Sequence, residues 1–166
     1  MKFPTLARHL AIAALLLLCT RHAVAAPEWT PLQFRIEGPS WVYPTKGDYM
    51  DVRADLVDAI ESRGLVVSYI AHTANMLQRT ADAVGAIEST YDYGDTLLFC
   101  SADLTHKLTA ANPHHMSLCP YSISVYSLAG EPGIVYLAIR APEKGVPAYE
   151  AIHELLEGII YDTVNW

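Results

Sequence analysis

Between Phe99 and Tyr121 the chain gathers side chains that bind metals or exchange electrons: Cys100, His106, His114, His115, Met116 and Cys119. Cys119 with Met116 and either His114 or His115 is a compact thiolate, thioether and imidazole set suited to copper, with Cys100 nearby. A thiolate is equally a haem ligand, so Cys119 beside Pro120 adds haem to copper as a cofactor this segment could take. The same cysteines admit two other chemistries. Bridged, Cys100 and Cys119 close a loop with eighteen residues inside it, which stabilises by about 3 kcal/mol on the chain-entropy account. Free, Cys100 precedes a helix start that would lower its pKa, with His106, His114 or His115 as a candidate base for a thiol nucleophile. No Cys-x-x-Cys pair, His-Glu-x-x-His helix, phosphate loop or dinucleotide fingerprint accompanies them.

These residues depend on the elements that carry them. Residues 96–100 (Thr-Leu-Leu-Phe-Cys) are an apolar strand, and Ser101 can cap the helix after it. That helix places Leu104, Leu108 and Ala111 on one face and His106 on the other, toward water. Asn112-Pro113 ends it and leaves His114 and His115 in a turn. Strand direction then decides whether the cysteines can meet. Parallel strands would hold them roughly 17–20 Å apart, whereas a bridge needs Cα atoms within about 7 Å; an antiparallel or displaced arrangement removes that obstacle.

Elsewhere short helices and strands alternate. Phe34 and Ile36 form a strand before Gly38-Pro39; Tyr49, Val52, Leu56, Val57 and Ile60 recur at helical spacing, with Gly64 as the stop. Residues 65–70 read as a strand, 74–84 as a weak helix and 91–95 as a turn. Strands at 121–126 and 134–139 are joined through Gly130-Glu131-Pro132-Gly133, and a last helix starts near Tyr149. The pattern implies an α+β two-layer sandwich, an antiparallel or mixed β-sheet with helices on one face. Tyr91, Tyr93, Tyr121, Tyr126 and Tyr136 read as strand tyrosines with their hydroxyls at the rim, and Glu150, Glu154 and Glu157 as a solvated stripe beside His153. Trp29, Trp41 and Trp166 sit near the chain ends, where they would fasten those ends to the core.

The N-terminus speaks to compartment. Lys2 and Arg8 precede an apolar run at 10–18, and Ala23-Val24-Ala25 offers a small-x-small cleavage pattern, so residues 1–25 read as a signal peptide. The run is about half the ~20 residues that span a bilayer. Loss of Lys2, Arg8 and Arg21 takes the formal charge from −7 to −10, which disfavours nucleic acid as a partner. About 140 residues remain, enough for one domain, and no second run could span a membrane. Cys19 leaves with the leader, and a periplasmic or secreted chain with the remaining even cysteine count favours a disulfide.

In this order of elements the chain resembles the DUF302 family, a group of small domains of unknown function. The resemblance covers residues 47–162 and rests on residues 56–68 leading into a strand, on Ala110-Ala111-Asn112-Pro113, and on the stretch from Leu118-Cys119-Pro120-Tyr121 to Tyr126. Many members carry Gly-Asn-Pro where this chain has Phe99-Cys100-Ser101, and Leu-Pro-Cys where it has Leu118-Cys119-Pro120, so it looks like an exported branch with its own cysteine pattern. The resemblance implies a two-layer antiparallel α/β fold, is compatible with a homodimer, and supplies no activity. The expected organisation is a signal peptide at 1–25, an N-terminal segment at 26–46 and the domain at 47–166. The expected function is an exported small binding or accessory domain, with a soft metal such as copper, or haem, around Cys119, His114, His115, Met116 and Cys100. Its alternatives are a thiol-disulfide redox protein using Cys100 and Cys119, or a partner-binding module whose disulfide is purely structural. No catalytic residue is assigned.

Overall fold

A computed structural model describes residues 32–86, 89–143 and 145–165; the expected signal peptide, Trp29 and Trp166 lie outside them. The described chain runs β1 (Arg35–Glu37), β2 (Ser40–Lys46), α1 (Tyr49–Ser62), β3 (Val66–Ala71), α2 (Thr73–Val84), β4 (Tyr91–Cys100), α3 (Ala102–Ala111), a 3-10 helix (Pro113–Leu118), β5 (Tyr121–Leu128), β6 (Ile134–Arg140) and α4 (Pro147–Val164). The strands make one six-stranded sheet in the order β1-β2-β6-β5-β4-β3, with every neighbouring pair antiparallel. This is the expected α+β fold, with an open sheet.

Local chemistry starts and stops the helices. Asp48 caps α1 by accepting from the Met50 amide at 2.8 Å, and Ser101 caps α3 by accepting from the Leu104 amide at 3.3 Å. Gly64 takes the positive φ of 72° that turns the chain from α1 toward β3. Strand alternation builds the core. Leu97 pairs with Ile123 and Phe99 with Tyr121, which places these residues and Val125 on one face. There they are buried with Val135 and Leu137 against Val52, Leu56 and Ile60 of α1 and Ile152, Leu156, Ile159 and Ile160 of α4. The two helices approach closely at Gly158, where a Cβ would come within 2.9 Å of the Arg63 guanidinium. That guanidinium pairs with Asp162 at 2.6 Å.

The opposite face is more polar and carries Thr96, Ser124, Tyr126 and Ala138. Helix α2 reaches this side: a Cβ on Gly94 would lie 3.3 Å from the Ala74 and Tyr126 Cβ atoms. Glycine at that point lets β4 and α2 approach backbone to side chain, and any larger residue would crowd both neighbours.

Two segments differ from the sequence reading. Residues 91–95 are not a turn; they extend β4, paired to β5 from Tyr91 opposite Leu128, with an irregularity between Tyr91 and Tyr93. Asp92, Gly94 and Asp95 carry turn chemistry, and cross-strand pairing overrides it. Strand β2 contains Pro44 and had no strand signature. It pairs along its full length with β6, while β1 covers only Ser40 to Val42, so Pro44 sits at an otherwise unpaired edge, where proline is tolerated. Residues 35–46, set apart on sequence as an N-terminal segment, therefore form two strands of the same sheet.

Because β4 and β5 are antiparallel, α3 and the 3-10 helix leave and return at the same end of the sheet. Cys100 and Cys119 meet there in a disulfide, with Cα atoms 5.8 Å apart. Protein purified without reductant is expected to show no titratable thiol from this pair in the native state. Replacing both cysteines by serine is expected to lower the unfolding free energy by about 3 kcal/mol in denaturant melts. Two free thiols in the native protein would contradict the bridge.

Candidate functional site

The residues that drew attention in the sequence do not converge. Cys100 and Cys119 are spent on each other in the bridge. The His115 Nδ1 lies 3.0 Å from the Leu108 carbonyl oxygen, fastening the 3-10 helix to α3. His106 and His114 are exposed, and Met116 is 64% exposed. Among the described residues no group of three or more His, Cys, Asp or Glu side chains is placed to hold a metal ion.

A different set of polar side chains does converge, around Asp95. Counting back from Phe99 and Leu97, Asp95 has the parity of the buried face, and it is only 8% exposed. A carboxylate there must be satisfied by partners. Arg53, one turn into α1, donates its Nε to Asp95 Oδ2 at 2.6 Å. His72, between β3 and α2, places Nδ1 2.8 Å from Asp95 Oδ1. Burial raises the Asp95 pKa; the hydrogen bonds from Arg53 and His72 and their charges outweigh it, so the carboxyl titrates below its ordinary value. Tyr49 stands beside the pair. Its phenol pKa is pushed far up, first by burial and then by the Asp95 charge, so it stays protonated as a donor.

This geometry prescribes the tautomer of neutral His72. A carboxylate at Nδ1 accepts the ring proton, so the neutral imidazole carries its lone pair on Nε2. No described residue hydrogen-bonds Nε2, and the His72 side chain is 65% exposed. Asp95 thus works from the floor as an orienting group and His72 presents an aimed acceptor. The cleft above it has a volume of about 800 Å³, with Arg53, Asn75, Gln78, Tyr91 and Tyr93 among its walls. Tyr93 is exposed and stacks on Tyr49 with ring centroids 5.0 Å apart. Ser89, also on the cleft wall, donates its hydroxyl to the Tyr91 carbonyl at 2.6 Å. The site is therefore equipped to bind and orient, with a fixed acceptor and phenolic and amide donors.

Sequence reasoning missed this cluster because its members lie 42 and 23 residues apart in the chain. One signal was present. Extending the strand pattern of Leu97 and Phe99 back by one step puts a charged residue on the buried face, which demands a cationic or hydrogen-bonding partner. Reading residues 91–95 as a turn hid that parity.

No family model matches the chain, and no curated protein matches it. Among solved structures it is similar to an uncharacterized conserved protein, DUF302, from Bacillus stearothermophilus. The two share 16% identity with a TM-score of 0.58, over 76% of this chain and 96% of that one. The chain has a DUF302-like fold, as its sequence pattern implied.

Replacing Asp95 by asparagine is expected to lower stability by about 1–3 kcal/mol near neutral pH, through loss of charge-assisted hydrogen bonds. A carboxyl whose folded pKa is depressed stabilises above its unfolded value of about 3.9, and that contribution disappears as pH falls toward the folded value. The difference between wild type and Asp95→Asn should therefore shrink as the carboxyl itself is protonated, below roughly pH 4. Urea melts of both proteins carried into that range test it; a gap that does not shrink there would contradict the pairing.

Proposed function

We propose that this protein is an exported, disulfide-stapled binding domain whose ligand site is the cleft over Asp95. The observation that carries the reading is the buried Asp95 carboxylate held by Arg53 and His72 at the cleft floor, leaving His72 Nε2 as a fixed acceptor with no partner among the described residues. Buried charge networks cost desolvation, and a core strand has no need of one for packing. Pre-set hydrogen-bonding groups in a concave, tyrosine-walled site are what small-ligand recognition requires. Screening a small-molecule fragment library by amide-resolved NMR tests the assignment. Shift changes should concentrate at His72, Asn75, Gln78 and Tyr93 and weaken in the His72→Ala protein. Changes centred on the Cys100–Cys119 bridge instead would move the site to that end of the sheet.

Export rests on the leader-like residues at 1–25 and on the bridge, which persists in oxidising compartments. The polypeptide recovered from a periplasmic fraction should begin near Ala26 by N-terminal sequencing; a chain retaining Met1 would reject this part of the proposal. Among the described residues no helix is long and apolar enough to cross a membrane.

A thiol-disulfide exchange role for Cys100 and Cys119 is the second reading, favoured by one observation: both cysteines are only partly buried at the end of the sheet. Exchange with an external dithiol would move two electrons and two protons onto the pair and oxidise that dithiol to its disulfide. Copper or haem at Cys119 with His114, His115 and Met116 would require the same opening of the bridge first. The Asp95 cleft needs no such change.

A further inference from the structure

We infer that the Asp95 cleft continues onto the polar face of the sheet and that the combined groove takes a neutral, polyhydroxylated ligand, a segment of glycan chain. The inference rests on the binding role assigned to the cleft. A second depression, about 220 Å³ in volume, adjoins it. Ala74, Tyr91, Gly94 and Asp95 line both, so the boundary between them is made partly of the two smallest side chains available.

The floor of the depression is a row of hydroxyls. Thr73 Oγ1 lies 3.4 Å from Thr96 Oγ1, which lies 2.9 Å from Ser124 Oγ. Each hydroxyl both donates and accepts, and a linked row retains unused lone pairs. Sugar hydroxyls have the same dual character, so such a surface matches them without fixed polarity. Tyrosines bound the groove at both ends. Tyr126 meets Tyr91 edge to face at 5.5 Å, and the exposed Tyr93 stands at the far side of the cleft. Phenol faces suit the apolar ring faces of pyranoses, and their hydroxyls suit the rims.

The charge pattern rejects the other common polar ligands. The Arg53 guanidinium is neutralised by Asp95 at 2.6 Å, and Asp92 adds a negative charge to the cleft wall. Among the described residues no uncompensated lysine or arginine lines either depression. A phosphate or carboxylate would meet a site of roughly balanced or negative charge, whereas a neutral saccharide loses nothing there.

The disulfide-intact protein should be applied to an array of neutral oligosaccharides, with binders followed by calorimetry and amide-resolved NMR. Binding that strengthens with oligosaccharide length is expected, with shifts running from Gln78 and Tyr93 through Tyr91 to Ser124. Tyr91→Ala should weaken it about tenfold, the scale of one lost aromatic contact. Ser124→Trp, which fills the depression, should shorten the longest chain accommodated; should that variant not fold, Thr96→Val removes the central hydroxyl with little change of shape. Inorganic phosphate and citrate form the anionic arm. If they alone shift His72 and Arg53 while no neutral saccharide binds, the glycan inference fails and the cleft remains a binding site. Silence from saccharides, anions and fragments alike overturns both.

Discussion

Strand β4 lies antiparallel to β5 with Leu97 opposite Ile123 and Phe99 opposite Tyr121, and the core, the bridge and the cleft all depend on this register. It turns Leu97 and Phe99 onto the face covered by α1 and α4, where both are fully buried. It returns the chain after α3 to the end of the sheet it left, which brings the two cysteines together. One pleat earlier it sends Asp95 to the same buried side and Gly94 to the side that meets α2. A slip by one residue would exchange the faces of Asp95, Leu97 and Phe99 with that of Gly94, because the side-chain period of a strand is two.

Asp95 is the electrostatic consequence of that register. Its carboxylate has lost most of its water, and each oxygen recovers a partner, Arg53 on one side and His72 on the other. Those partners belong to α1 and to the link between β3 and α2, so the carboxylate joins three parts of the chain that hydrophobic packing alone would bring near one another without orientation. Helix α2 has no buried residue of its own. Its seat depends on Ala74 against Gly94, on the Thr73–Thr96 contact, and on His72 immediately before it. Polar groups thus hold the cleft wall that packing holds weakly.

The fold and the site carry different kinds of information. A DUF302-like neighbour at 16% identity defines the architecture; it brings no chemistry to this chain, since folds host unrelated functions. Two distinct regions compete for the functional role. The cysteine segment has the more reactive residue types, yet its bridge and its His115–Leu108 contact read as fastening of the β4–β5 connection. The Asp95 cluster has ordinary residue types in a costly arrangement, and it is the arrangement that distinguishes a site from composition.

Much of the scaffold was legible because it reflects short-range physics. Apolar recurrence in α1 and α4, the caps at Asp48 and Ser101, Gly64 after α1 and the alternating runs of β5 and β6 all express backbone and side-chain preferences within a few residues. Strand β2 escaped because Pro44 argues against a strand unless its edge position is known, and the start of β4 escaped because Asp92, Gly94 and Asp95 favour turns locally. The sequence by itself determined the α+β class, the helix boundaries and the availability of one cysteine pair. Only the tertiary structure decided that β4 and β5 run antiparallel, that the cysteines therefore meet, and that Arg53 and His72 close on Asp95. Those outcomes are set by pairing and burial between residues tens of positions apart, which no local period or propensity contains.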